Sequence, residues 1–224
     1  MYANPTYRTA EQVNSAMAGV YMNMFLAVIN SMIVSYLVST NTALMALLFG
    51  TALKWVVIFA PLVAVIAMAF VLDKVSKPVA HFLLHGFAAL MGLSFATIFV
   101  VYTMGSIVTA FMGAAVLFGV MSLYGYFTKK DLSSIGQMMF IGLIAIIIAS
   151  IINIFIGSSV MQMVISAMAI IIFLGLTAHD TQKIREMVSY DRAGNAEVTG
   201  ALTLYLDFIN LFIHLLHLFG VKKD

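Results

Sequence analysis

Residues 135–156 read IGQMMFIGLIAIIIASIINIFI, an apolar run without one charged side chain. About 20 such residues, wound as a helix, match the ~30 Å hydrocarbon core of a bilayer. The pattern recurs along the chain. Candidate spans fall at 18–39, 52–72, 79–102, 106–127, 135–156, 160–179 and 200–220. The runs are continuous, without the alternation of a membrane barrel. Only 9% of the residues are charged and 63% are apolar, with mean hydropathy +1.07; a soluble domain carries roughly a quarter charged residues. The chain is read as an all-α integral membrane protein. A polar N-terminal tail occupies 1–17 and a single seven-helix membrane domain 18–224. The longest polar stretches are that tail and residues 180–199.

The positions of Lys and Arg set the expected orientation. Arg8, Lys74, Lys77, Lys129, Lys130, Lys183, Arg185 and Arg192 fall on one side, and Lys54, Lys222 and Lys223 on the other. The N-terminus is therefore expected in the cytoplasm. A seventh segment that dips in and returns, rather than crossing, would bring Lys222 and Lys223 to the majority side. The first apolar segment reads as a retained anchor, because MYANPTYRTAEQVNSAM lacks the basic start of a cleavable signal. A net charge of +2 without a basic patch points away from nucleic acid. The absence of cysteine excludes disulfides, thiolate metal sites and cysteine nucleophiles.

Ionisable groups at membrane depth are rare and costly, so each is a functional candidate. Asp207 lies in GALTLYLDFINLFIHLLHLFG, about 10 Å into a helix that starts at Gly200. Thr203, Asp207, Asn210, His214 and His217 share about a third of that helix's circumference. Such a stripe is either a packing seam of satisfied polar groups or the wall of a wet path. Asp180 falls at the end of segment 6, on one face with Gln162 and Ser166. Taken alone it reads as the first residue of a solvated loop. Taken with Asp207 it reads differently, because segments 6 and 7 meet on the same side. Two carboxylates in one partly buried site cannot both ionise cheaply, so the pair would respond to small changes in pH. Their oxygens also suit a hard cation such as Ca²⁺.

His81 and His85 are spaced i, i+4, and His214 and His217 i, i+3. Either pair could contribute to a zinc site, but the commoner reading is interface and packing, and no transition metal or other cofactor is expected. GxSxG, GxxxxGK[ST] and HExxH are absent, so no enzyme activity is expected. Pro61 falls within segment 2 and Pro78 starts segment 3. Gly86, Gly92, Gly113, Gly119 and Gly142 suit close helix packing.

Three stretches resemble the Bax inhibitor family, the transmembrane Bax inhibitor motif proteins, and in particular its bacterial branch. They are SLYGYFTKKDLS at 122–133, GLTAHDTQKIREM at 175–187 and GALTLYLDFINLF at 200–212. The resemblance implies a bundle of six helices around a central seventh. It implies a pH-sensitive Ca²⁺ leak, with paired aspartates on the last two helices acting as a proton-responsive latch near the cytoplasmic side. By motif position these are Asp180 and Asp207. His179 stands where the bacterial branch often has tyrosine. Some members carry an arginine after segment 2 to engage the aspartates; here FVLDKVSKPVAH offers Lys74 or Lys77, without arginine's bidentate fork.

The expected function is a calcium leak channel of the bacterial inner membrane. Asp180 and Asp207 form the latch, with His179, Thr203, Asn210 and His214 as pathway or supporting residues. The expected partners are calcium ions, protons and the lipid bilayer. The alternative is a membrane interaction protein that regulates a membrane protease or stress-response partner, with residues 180–199 as contact surface. An intramembrane metal-dependent hydrolase using the histidines is a third reading.

Overall fold

In a computed structural model, residues 7–190 and 195–223 are described. They form eight α-helices: α1 Ala10–Thr40, α2 Thr42–Phe49, α3 Leu53–Val71, α4 Lys77–Val101, α5 Met104–Phe127, α6 Ser133–Ile156, α7 Ser159–Tyr190 and α8 Ala196–Phe219. A 3₁₀ turn, Leu72–Lys74, follows α3. Among the described residues there is no β-strand. All the helices but α2 are long and apolar enough to cross a membrane, seven spans as the hydropathy pattern predicts.

The elements differ from expectation in four places: α8 starts at Ala196 and not at Gly200, which puts Asp207 at mid-helix, and three other differences have local reasons. Helix α1 starts at Ala10, inside the stretch read as tail. Thr9 and Gln12 make a capping box there, with Thr9 N–H donating to Gln12 Oε1 (2.9 Å) and Gln12 N–H to Thr9 Oγ1 (3.3 Å). Helix α2 was not anticipated. The Asn41 side chain starts it by accepting the Leu44 N–H at 3.0 Å. Helix α7 runs on to Tyr190, so Asp180 is a helical residue and not the first residue of a loop. The stretch Thr181–Tyr190 contains neither Gly nor Pro, and its polar side chains are compatible with helix. Of the stretch read as a loop at 180–199, residues 191–194 lie outside the described residues. At the end of α6 a left-handed Gly157 (φ 68°) closes the helix.

The chain packs as two units, each with its own interior. One draws on Met1–Tyr102, Met187–Tyr205 and Lys223–Asp224, the other on Thr103–Glu186 and Leu206–Lys222. In the first, α1 lies along α4. Ser31 Oγ donates to Ala88 O at 2.7 Å, Asn30 Nδ2 donates to His85 O at 2.8 Å, and a Cβ at Gly92 would sit 2.7 Å from Ser31 O. Buried Tyr205 belongs to this unit, with its hydroxyl 2.7 Å from Ser31 Oγ and its ring edge-on to Phe87. Because the Ser31 proton goes to a carbonyl, Tyr205 is the donor to Ser31 Oγ. In the second unit, Phe111, Phe118, Phe208 and Phe212 form an edge-to-face cluster with centroids 5.2–6.1 Å apart.

Of the glycines expected at close helix contacts, Gly92 and Gly142 fit. A Cβ at Gly142 would reach 2.8 Å from Ile172. A Cβ at Gly113 would make only ordinary contact with Leu215, and at Gly86 and Gly119 it would meet nothing within 4 Å. The span for which the resemblance implies a central place, α8, is the most buried: 56% of its apolar window is buried, against 6–39% in the others.

Candidate functional site

Asp207 lies in the middle of α8, where it is 4% exposed. Its Oδ2 is buried without a hydrogen-bond donor among the described residues. An orphaned carboxylate oxygen in an apolar surround is costly, so the native fold tolerates it only with a reason. Asp180 sits on α7 in the same unit. Its side chain is 19% exposed, and its Oδ1 lies 2.7 Å from His179 Nδ1. Asp180 Oδ1 is paired with its neighbouring histidine, and among the described residues no N–H or O–H donor reaches Asp207 Oδ2.

The placement of Asp180 comes from α5 and α6. Gly125 brings α5 against the carbonyl of Ala178, and Gly136 brings α6 against the ring of His179; a Cβ at either position would collide. Ser122 and Thr181 share a buried hydrogen bond of 3.0 Å one residue past Asp180. At the next residue, Gln182 accepts from Leu132 N–H at 2.9 Å and donates to Lys130 O at 2.8 Å. Arg185 donates to Tyr126 O at 2.9 Å and stacks over the Tyr126 ring. Sequence reasoning missed Gly125, Gly136, Ser122, Thr181 and Gln182. For Ser122 and Gly125 the signal was present in SLYGYFTKKDLS, whose small and polar residues meet α7 on either side of Asp180.

The polar stripe of α8 divides into two kinds of residue. Thr203 Oγ1 donates to Thr199 O (3.1 Å) and Asn210 Nδ2 to Leu206 O (2.8 Å), so both satisfy themselves on their own helix. His214 and His217 reach across to α7. His214 Nδ1 lies 3.4 Å from Ser166 Oγ, and His217 Nδ1 3.5 Å from Gln162 Nε2. Gln162 Oε1 in turn accepts from Asn153 Nδ2 of α6 at 3.4 Å. His214 also stacks on Phe173. The face of α7 that carries Gln162 and Ser166 thus meets the α8 stripe at its histidine end. Among the described residues, no group of three His, Asp or Glu side chains converges as a metal site would need.

The lysines proposed as basic partners lie in the other unit. Lys77 pairs with Glu197 (3.1 Å), whose side chain rests in the space left by Gly19. Lys74 ends the 3₁₀ turn and forms no ion pair among the described residues. His81 and His85 lie in the first turns of α4.

These features define a polytopic α-helical membrane protein whose most buried span carries a carboxylate with an open oxygen. The chain belongs to the Bax inhibitor family: the family model described as inhibitor of apoptosis-promoting Bax1 matches residues 13–224. It is 40% identical over 214 residues to the inner membrane protein YbhL of Escherichia coli (strain K12), covering 92% of each chain. It is 35% identical over 221 residues to an uncharacterized protein of Deinococcus radiodurans, covering 97% of this chain and 94% of the relative. An uncharacterized protein of Rickettsia prowazekii is 37% identical over 220 residues, covering 96% and 92%.

Proposed function

We propose that this protein is a pH-sensitive calcium leak channel whose seal lies in α8 and responds to Asp180 and Asp207. The observation that carries the reading is the unpartnered Oδ2 of buried Asp207, in the unit that also holds Asp180. A carboxylate oxygen in that position is left for a proton or a hard cation. Proton uptake or loss changes the force between the two carboxyls, and with it the packing of α7 against α8. His179 tunes the response by holding Asp180. His214, Thr203 and Asn210 contribute polar groups along the path. Calcium is cargo and not a resident cofactor, and the protein is not an enzyme. By likeness to the Escherichia coli relative it resides in the inner membrane, with its N-terminus cytoplasmic by the charge distribution.

The test uses purified protein in liposomes with a calcium dye inside, across a range of pH. Asp207→Asn and Asp180→Asn are expected to abolish the pH dependence of the flux. If both leave flux and pH dependence unchanged, the reading is wrong. The family description, inhibitor of apoptosis-promoting Bax1, favours a second reading, in which the chain regulates a membrane partner without transport. Absence of flux together with a stable co-purifying partner would support that second reading.

A further inference from the structure

A cavity of about 700 Å³ opens where α5 ends, α6 begins and α7 runs past them. Its wall carries three lysines, Lys129, Lys130 and Lys183, together with His179, Asp131 and Glu186. The acids are already engaged. Asp131 Oδ1 accepts the Ser133 N–H at 2.9 Å, and this bond with the Ser133 hydroxyl holds its carboxyl below the usual carboxylate range. Glu186 has an interaction of its own. The ammonium groups of exposed Lys129 and Lys130 make no hydrogen bond or ion pair among the described residues. The floor is fixed, because Gln182 ties α7 to the backbone at Lys130 and Leu132.

We propose that this cavity binds a phosphate-bearing anion, seated between Lys129, Lys130 and Lys183. The space is too large for a monatomic ion. A phosphate presents several oxygens, each able to accept from a lysine acting as a point charge. The site lies at the ends of membrane spans, the level at which phospholipid phosphates sit and where basic pockets take lipid headgroups. A phosphodiester headgroup and a free phosphate share this chemistry. The cavity also touches His179, so an occupant sits one hydrogen bond away from Asp180.

Two probes distinguish the sources, and neither depends on calcium flux. In the first, native mass spectrometry counts phosphatidylglycerol retained from mixed phosphatidylcholine nanodiscs. In the second, ³¹P line broadening follows inorganic phosphate added to the detergent-solubilised protein. Lys129→Gln with Lys130→Gln is compared with Lys54→Gln with Lys74→Gln, which removes the same charge elsewhere. At about fivefold per lysine, the cavity pair should weaken binding on the order of 25-fold. The comparator should change it less than about twofold. Loss of lipid retention assigns the site to a headgroup, and loss of the phosphate signal alone assigns it to a soluble phosphate. If neither probe separates the cavity pair from the comparator, the proposal is overturned. All four lysines are exposed, so each variant is expected to fold, which circular dichroism verifies.

Discussion

His179 Nδ1 lies 2.7 Å from Asp180 Oδ1, and the ring that makes this bond is pressed against Gly136 of α6. The contact ties the packing of α6 on α7 to the surroundings of a carboxylate. In a double-mutant cycle, His179→Phe is expected to move the flux-against-pH curve of the parent. In an Asp180→Asn background the same change should have no such effect. Equal shifts in both backgrounds would show that the ring acts other than through Asp180.

Gly125 and Gly136 should be intolerant where Gly119 is not. A Cβ at Gly125 meets the backbone at Ala178, which cannot swing aside. Gly125→Ala is expected to cost about 1–3 kcal/mol as overpacking. Gly119→Ala, with nothing within 4 Å, should be neutral or stabilising by up to about 1 kcal/mol. Thermal unfolding in detergent checks the order, and a Gly125→Ala protein as stable as the parent would contradict the contact.

Ser31 and Tyr205 predict an asymmetry. Tyr205→Phe removes one hydrogen bond and leaves Ser31 satisfied by Ala88 O, a loss of about 0.5–1.5 kcal/mol. Ser31→Ala leaves a fully buried phenol without its acceptor, which costs about 1–3 kcal/mol. Chemical unfolding of both variants should place the serine variant lower, and the reverse order would refute the assigned donor.

Asp131 gives a pH-dependent test outside the spans. Its carboxyl is held below the ordinary carboxylate value of 3.8 by Ser133, through hydroxyl and amide. A depressed native value means that the Asp131–Ser133 contact stabilises the fold fully above the unfolded value, and that this is lost as pH falls through the native one. Asp131→Ala should therefore lower the unfolding midpoint at neutral pH. The gap between variant and parent should close as the pH falls below 3.8. A gap that persists unchanged in acid would mean that the ionised carboxylate is not what the Ser133 contact stabilises.

The spans were legible because bilayer insertion reads an average over about 20 residues, and a run such as 135–156 has only one cheap environment. Helix ends were not, since a capping box at Thr9 or an Asn41 cap carries little weight in such an average. Residues 180–190 misled for a related reason: polarity marks the edge of the membrane, not the end of a helix, and α7 runs straight through it.

Asp207 could be singled out from the sequence, because an acid among Leu, Phe and Ile is conspicuous wherever it folds, whereas Asp180 became a candidate only when taken together with Asp207. The sequence by itself also determined an all-helical membrane chain and the faces on which Gln162, Ser166, His214 and His217 lie. Which side chains meet depends on how the helices pack. The tertiary structure gave Asp180 to His179 and left Asp207 Oδ2 open. It paired Lys77 with Glu197 and gathered Lys129, Lys130 and Lys183 around one cavity. Hydropathy is a property of one segment, whereas a hydrogen bond or a close glycine contact depends on the distance between segments far apart in the chain.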